Sequence, residues 1–283
     1  MTHTAYHFNH HETKFYGQYW QNTSTIAVVI LVHGMGEHSS RYANSVVPKF
    51  LENNISVITY DQFGHGKTEG KRGHNPNYEA VLDCVNILTD KVNIVFGDLP
   101  TFLYGHSMGG NVIINYILTR KHNFTGAIAT SPFLKLAFQP PSWKLAIGKV
   151  LQKIAPSITM GNELETSAIS RDKTEVQKYI DDPLVHNKIS ANYSLTFMKK
   201  GIWAIENASK LTIPILIVHG TGDRLISHKA SEEFVKNANN KATIKLFENG
   251  FHELHHDTCK EEMLETVLNW TNLQLKTTLN NKL

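Results

Sequence analysis

The chain has 283 residues, 41% of them hydrophobic, which is enough apolar material for one large core. Its formal net charge of +3, from 28 basic and 25 acidic residues, is close to balanced, so no nucleic-acid partner is expected. The two cysteines exclude a disulfide framework and are typical of free thiols in a reducing compartment.

The N-terminal segment predicts the compartment. Residues 1–12 are polar and rich in histidine, without the apolar stretch of a signal peptide. The longest apolar run, residues 26–32, is too short to span a bilayer. We therefore expect a cytoplasmic protein that meets a membrane, if at all, at its surface.

Short apolar runs alternate with segments of helical periodicity along the chain. The predicted strands are 15–20, 26–32, 56–60, 103–104, 127–129, 215–218 and 243–247. The predicted helices are 41–53, 78–92, 109–121, 229–237 and 259–275. This alternation, with strands apolar on both faces, predicts an α/β doubly wound, mostly parallel sheet.

The alternation stops after Pro132. Up to Lys210 no run typical of a buried strand occurs, and the segment has helical patterns instead. We predict a helical insertion, residues 133–207, between two parts of one core, residues 1–132 and 208–283.

The sequence Gly-His-Ser-Met-Gly at 105–109 follows an apolar strand and opens a helix. A G-x-S-x-G motif between strand and helix predicts a nucleophile elbow, with Ser107 exposed at a strand end. A serine hydroxyl needs a base, and the base needs a carboxylate. Asp223 and His252 follow the ends of later strands, and the order Ser107, Asp223, His252 is that of α/β-hydrolases. The alternative for Asp223 and His252 is an ordinary turn aspartate and loop histidine.

Two backbone N–H groups are predicted to stabilise the oxyanion. One belongs to Met108, directly after the nucleophile, and the other to Met35, in the glycine-rich loop after an early strand. An ordinary glycine-rich turn between strand and helix is compatible with the same sequence.

A second motif suggests metal, and we do not adopt it. Residues 252–256, His-Glu-Leu-His-His, match the zinc signature H-E-x-x-H, which requires both histidines on one helix face. Here the motif begins in a loop after Gly250, and no third ligand is evident. No metal and no cofactor are expected.

The chain resembles the monoacylglycerol lipase and lysophospholipase family of the α/β-hydrolase superfamily, which is related to serine aminopeptidase-like hydrolases. The resemblance rests on HGMGEHSSRY at 33–42, DQFGHGKT at 61–68, GHSMGG at 105–110, HGTGD at 219–223 and DPLV at 182–185. It implies an α/β-hydrolase fold in which Ser107, Asp223 and His252 form the triad and Met35 and Met108 line the oxyanion hole. It also implies that residues 133–207 form a cap over the acyl pocket.

The resemblance implies a serine ester hydrolase acting on a small lipid ester, foremost a monoacylglycerol. A lysophospholipase or a short-chain carboxylesterase shares the same triad, and a non-catalytic binding protein on a hydrolase scaffold is the alternative from another class. The sequence leaves the oligomeric state open.

Two apolar stripes occur in the insertion. Trp143, Ile147, Val150, Leu151 and Ile154 recur at helical spacing, with lysines off the stripe. This helix either packs on the core or contacts a membrane surface. Leu195, Met198, Ile202 and Ile205 form the second stripe, which we expect to pack within the insertion.

Overall fold

Eight strands form one sheet in the computed structural model, which describes residues 1–280; residues 281–283 of the predicted segment 208–283 lie outside the described residues. The sheet order is β1 (Thr2–His10), β2 (Thr13–Gln21), β4 (Ile55–Tyr60), β3 (Ala27–Val32), β5 (Thr101–His106), β6 (Gly126–Thr130), β9 (Ile215–Gly220) and β10 (Ala242–Phe247). Strands β1 and β2 pair antiparallel, β2 pairs antiparallel with β4, and the other pairs are parallel.

Helices cover both faces of this sheet. Helices α1 (Val46–Glu52) and α8 (Lys260–Asn280) pack on one face. Helices α2 (Tyr78–Phe96), α3 (Met108–Thr119) and α7 (His228–Asn237) pack on the other. The central strands β3, β4 and β9 are buried along their whole length, because helices shield both faces. The prediction of a mostly parallel α/β sheet is confirmed.

The N-terminal strand β1 was not predicted from the sequence. It is an edge strand whose side chains are mostly exposed, so its sequence has no buried apolar run. Tyr6 and Phe8 pack partly against the core, and Phe8 stacks on Phe15 of β2 with ring centroids 4.7 Å apart. The strand forms because β2 supplies its hydrogen-bond partners, which local sequence patterns do not reveal.

The segment between β6 and β9 contains three helices, α4 (Ser142–Ile154), α5 (Lys173–Asp181) and α6 (Ala191–Glu206). It also contains two short strands, β7 (Thr159–Gly161) and β8 (Lys188–Ser190), which pair antiparallel. These two short strands were not among the elements predicted from the sequence. Strands of three residues, of which only Ser190 is buried, contain no apolar run that would reveal them.

The two apolar stripes of this segment are only partly buried. On α6 the buried face is formed by Tyr193, Phe197, Gly201 and Ala204, whereas Ile202 is exposed. Only Ile205 of the predicted stripe is buried, because α6 docks through its small and aromatic residues. On α4 the apolar stripe faces outward, and the helix packs through Gly148 against Leu195.

No helix among the described residues has both the length and the apolar run that a membrane span requires. Cys84 is buried and Cys259 half-buried, and both are free thiols.

Candidate active site

The strand β5 turns sharply into helix α3 at Ser107. Its backbone has φ of 51°, a region that residues other than glycine rarely adopt. An added Cβ at Gly109 would lie 2.0 Å from the Val32 carbonyl oxygen, so only glycine permits this approach of helix and strand. The Ser107 N–H donates to the Thr130 carbonyl at 2.9 Å, which ties the turn to β6. The turn has the geometry of a nucleophile elbow.

The structure brings the three predicted side chains Ser107, His252 and Asp223 together. The distance from His252 Nε2 to Ser107 Oγ is 2.9 Å, and from His252 Nδ1 to Asp223 Oδ2 it is 2.7 Å. All three residues are buried, although Ser107 lies more than a hundred positions before the other two in sequence. Each follows the carboxyl end of a strand, where parallel sheets bind their ligands.

The Asp223 carboxylate has a full set of hydrogen bonds. Its Oδ1 accepts from the backbone N–H groups of Leu225 and Ile226 at 2.8 and 3.0 Å. Its Oδ2 accepts from His252 and also from His219 Nε2 at 3.1 Å. Burial opposes ionisation, but the His252 charge and the hydrogen bonds from both imidazoles outweigh it and hold the pKa of Asp223 below its usual range.

The electrostatics of His252 favour its protonated form. Burial lowers its basicity, but the Asp223 carboxylate outweighs this effect, helped by the more distant charges of Glu253 and Glu37, and the pKa of His252 is raised. The neighbouring His106 ring has its centroid 4.8 Å from that of His252. Burial, and secondarily His252, lower the pKa of His106 to about 4. The two adjacent imidazoles therefore differ widely in pKa.

The oxyanion loop, residues 33–36 with the predicted oxyanion donor Met35, lies beside Ser107. An added Cβ at Gly34 would lie 3.3 Å from Ser107 Cβ. His33 anchors this loop, because its Nε2 accepts from the Gln62 N–H at 2.9 Å and its carbonyl accepts from Gln62 Nε2 at 2.6 Å. Within residues 1–280, neither the Met35 nor the Met108 backbone N–H donates to a protein acceptor.

Glu37, Arg41 and Glu253 form a buried ion-pair cluster behind the triad. Arg41 donates to both carboxylate oxygens of Glu253 at 2.7 Å and to Glu37 Oε2 at 2.9 Å. The three side chains are 7% exposed or less. Burial opposes ionisation of both carboxyls, but Arg41 outweighs it, and the pKa values of Glu37 and Glu253 are lowered. Both therefore remain charged.

The residues of the zinc motif do not have the helical arrangement that the motif requires. Leu254–His256 is one 3-10 turn rather than an α-helix, and His252 faces Ser107 and Asp223. Among the described residues, ligand atoms of Glu253, His255 and His256 do lie within 4.8 Å of one another. The Glu253 carboxylate is already paired with the Arg41 guanidinium, so a cation bound there would face a fixed positive charge.

One cavity adjoins the triad, and a second lies next to it. The first, of about 30 Å³, is bounded by Gly34, Met35, Ser107 and His252 and by the Glu37 and Glu253 side chains. A neighbouring cavity of about 300 Å³ lies under α5 and shares Leu164 and Tyr179 with the first. The small cavity is too narrow for a lipid ester, since ligand sites typically measure about 300–1,000 Å³.

A family model described as serine aminopeptidase, S33, matches residues 23–259, which include Ser107, Asp223 and His252. The chain belongs to this family. The family, its α/β-hydrolase fold and the relatives below make it a serine ester hydrolase.

Three relatives illustrate the similarity. An uncharacterised abhydrolase domain-containing protein of Dictyostelium discoideum is 38% identical over 248 residues, and the match covers 87% of this chain but 26% of that protein. The monoglyceride lipase of Homo sapiens is 32% identical over 247 residues, covering 85% of this chain and 80% of the enzyme. The crystal structure of Paleococcus ferrophilus monoacylglycerol lipase matches with a TM-score of 0.83 at 30% identity, covering 93% and 98% of the two chains.

Sequence patterns did not identify two contacts of the site. The first is the contact of His219 with the Asp223 carboxylate. The two residues stand at the two ends of a short turn, so their contact depends on how that turn folds. In the sequence, Glu253 stands out only as part of the zinc motif. Its partner Arg41 lies in the family block at 33–42, more than two hundred residues away in sequence. The family block draws attention to Arg41, but it does not show that Arg41 pairs with Glu253.

Proposed function

We propose that this protein hydrolyses monoacylglycerols to free fatty acid and glycerol, with Ser107 as nucleophile, His252 as general base and Asp223 as its orienting carboxylate. The observation that carries the proposal is the continuous hydrogen-bonded chain from Ser107 Oγ through the His252 ring to Asp223. The monoacylglycerol lipases of Homo sapiens and Paleococcus ferrophilus, similar over most of this chain, support the substrate class.

The chemistry follows from this geometry. Ser107 Oγ attacks the ester carbonyl carbon while its proton passes to His252 Nε2. The carbonyl oxygen becomes an oxyanion that accepts hydrogen bonds from the Met35 and Met108 N–H groups. His252 then protonates the departing glycerol oxygen, which leaves an acyl-enzyme. Water then attacks the acyl carbon while its proton passes to His252. The bond from the acyl carbon to Ser107 Oγ breaks, His252 returns the proton to Oγ, and the fatty acid is released.

The charge of the buried ion-pair cluster favours a substrate whose head group is neutral. Glu37 and Glu253 line the cavity beside Ser107, and with Arg41 they leave one negative charge in excess. A phosphate near this charge would be repelled in a medium of low dielectric constant. Glycerol carries no charge, and its hydroxyl groups can donate hydrogen bonds to carboxylates. We therefore favour a monoacylglycerol over a lysophospholipid.

Residues 133–207 act as a cap in this proposal. Ser107 is 8% exposed and the cavity beside it is bounded by Leu164, Ile169 and Tyr179 of this segment. Entry of a long acyl chain therefore requires these side chains to move. We expect the cap to open at Leu164 and Tyr179, which line both this cavity and the larger one.

The same proposal includes transient contact between helix α4 and a membrane surface. Trp143, Ile147, Val150 and Ile154 are 61%, 49%, 55% and 74% exposed, on one face of the helix. The lysines at 144, 149 and 153 lie beside this face, a pattern typical of helices that bind anionic lipid surfaces. Contact there would place the cap next to the pool of lipid substrate.

The hydrolysis proposal is tested by initial rates on a matched panel of monoacylglycerols of graded chain length, the corresponding lysophosphatidylcholines and a short soluble ester. We expect the monoacylglycerols to be preferred and Ser107→Ala to abolish turnover of the whole panel. Turnover of the short ester alone would contradict the lipid substrate. Activity retained in Ser107→Ala would contradict the nucleophile.

Flotation with anionic phosphatidylglycerol vesicles tests the membrane contact. We expect the wild-type protein to float and a variant carrying Trp143→Ser and Ile147→Ser to remain at the bottom. Ile94→Ser is the matched control, because Ile94 is 78% exposed on α2 and lies outside the cap. Equal flotation of both variants, or none by the wild type, would refute the contact.

A further inference from the structure

The buried ion-pair cluster connects two loops that the proposed reaction uses. Glu253 directly follows His252, the proposed base. Glu37 accepts the backbone N–H of Gly34 at 2.6 Å, and Gly34 precedes Met35, a proposed oxyanion donor. Arg41 is the only group of the cluster that contacts both carboxylates, through Nη1 and Nη2. The Arg41 guanidinium thus links the segment that carries His252 to the oxyanion loop, and the position of one relative to the other depends on it.

We infer that the buried ion-pair cluster holds His252 in register with the oxyanion loop, so that Arg41 and Glu253 are positioning residues for ester hydrolysis. This inference rests on the proposed role of His252 as the base. Neither residue needs to touch the reacting ester. Glu253 acts through the adjacent His252, and Arg41 acts through Glu37 and the oxyanion loop.

The cluster is built for fixed geometry. Arg41 binds Glu253 with two parallel hydrogen bonds, a bidentate arrangement that fixes the orientation of both groups. Additional hydrogen bonds reach the cluster from Tyr42, whose hydroxyl donates to Glu37 Oε1 at 2.7 Å, and from the His256 ring, 3.0 Å from Glu253 Oε2. The guanidinium also packs 4.7 Å from the Tyr179 ring centroid. A cluster that served charge neutralisation alone would require one carboxylate, whereas this one has two.

The charge of the cluster offers a readout that a purely structural role would not change. The excess negative charge favours protonated His252, as its raised pKa indicates, alongside the stronger contribution of Asp223. The other titratable and charged groups around His252 are Glu37, Arg41, His106, His219, Glu253 and His255. His106, His219 and His255 have pKa values lowered chiefly by burial, so they are neutral where His252 titrates.

The test uses Glu253→Gln and Arg41→Lys, with kcat, KM and the pH profile of kcat/KM measured on a soluble ester. Glu253→Gln keeps the shape but removes one negative charge near the imidazolium. We expect kcat to fall by about 10–100-fold, since small misplacements of catalytic groups cost that much. We also expect the acid limb of the profile to move to lower pH. Arg41→Lys keeps the charge but loses the bidentate contact, so kcat falls while the limb stays in place.

Controls separate this inference from folding and from the function itself. Arg120→Lys, in a partly exposed pair with Glu79 and Asp83, is expected to match the wild type. Thermal melts establish that each variant is folded. Labelling of wild-type Ser107 by a fluorophosphonate, lost in His252→Ala, tests the triad independently.

The inference is overturned if folded Glu253→Gln keeps wild-type kcat, or if its lower rate comes with an unmoved acid limb. Should Glu253→Gln fail to fold, Arg41→Lys decides: a lower kcat supports the inference, and an unchanged kcat refutes it. Failure of the wild type to label would instead refute the proposed function.

Discussion

His219 donates a hydrogen bond from Nε2 to Asp223 Oδ2 at 3.1 Å, the same oxygen that His252 contacts. The ionised carboxylate only accepts, so Nε2 carries the proton and Nδ1 accepts from the Ser231 hydroxyl at 2.9 Å. Burial lowers the pKa of His219, which keeps this ring neutral. The carboxylate of Asp223 is thus shared between two imidazoles.

His219→Leu is expected to remove this donor from a buried carboxylate. Loss of a hydrogen bond to a charged group lowers the free energy of unfolding by about 1.5–3 kcal/mol. Because the full Asp223 charge then acts on His252, the acid limb of kcat/KM should move to higher pH. Chemical denaturation and a pH series measure the two effects. His219→Gln, which retains an N–H donor, is the control, and identical profiles for Leu and wild type would contradict the sharing.

The wild-type pH profile follows from the raised pKa of His252. A general base acts in its neutral form, so kcat/KM should fall as the pH drops through a value above the ordinary histidine pKa of 6.5. The neighbouring His106, with a pKa of about 4, would give a limb at much lower pH. Measured rates from pH 4 to pH 9 distinguish the two rings, and a limb near 4 would argue against His252.

Asp223→Asn supplies the companion measurement. The amide cannot hold His252 in the tautomer that accepts a proton from Ser107, and loss of this carboxylate costs about 10⁴ in kcat in a comparable triad. The fold should persist, because an amide has nearly the same shape. A loss of less than tenfold would contradict the orienting role.

Gly109→Ala is expected to destabilise the elbow. Its Cβ would lie 2.0 Å from the Val32 carbonyl oxygen, and backbone atoms cannot give way as side chains do. Overpacking of this kind costs about 1–3 kcal/mol or more. Gly161→Ala on β7 is the matched control, since nothing lies within 4 Å of an added Cβ there. Urea unfolding of both variants measures the difference, which equal midpoints would disprove.

Leu164→Ala tests the proposed opening of the cap. Leu164 lines both the small cavity at Ser107 and the larger one beside it. Its truncation joins the two spaces, so kcat/KM should rise for long-chain monoacylglycerols and stay constant for a short soluble ester. Leu273→Ala, on the exposed face of α8, serves as the control. A parallel change on both substrates would place the opening elsewhere.

Local sequence patterns were sufficient to predict the sheet class, the central strands and the elbow. Strands such as β3 and β9 are apolar throughout because both faces are covered, and this local property is visible in one chain. Ser107 was identifiable because a strand, a tight turn and a helix follow one another in sequence. Asp223 and His252 were predicted as strand-end residues, and the parallel sheet brings strand ends to one edge.

Features that depend on partners distant in sequence could not be predicted from local patterns. The edge strand β1 has no apolar run and forms through pairing with β2. The α4 stripe has the pattern of a buried helix face, yet Gly148 on the other side makes the contact. Arg41 joins Glu253 across 212 positions. In each case local periodicity fixes which residues share a face, whereas the docking of separate segments decides which face is covered and which charges meet.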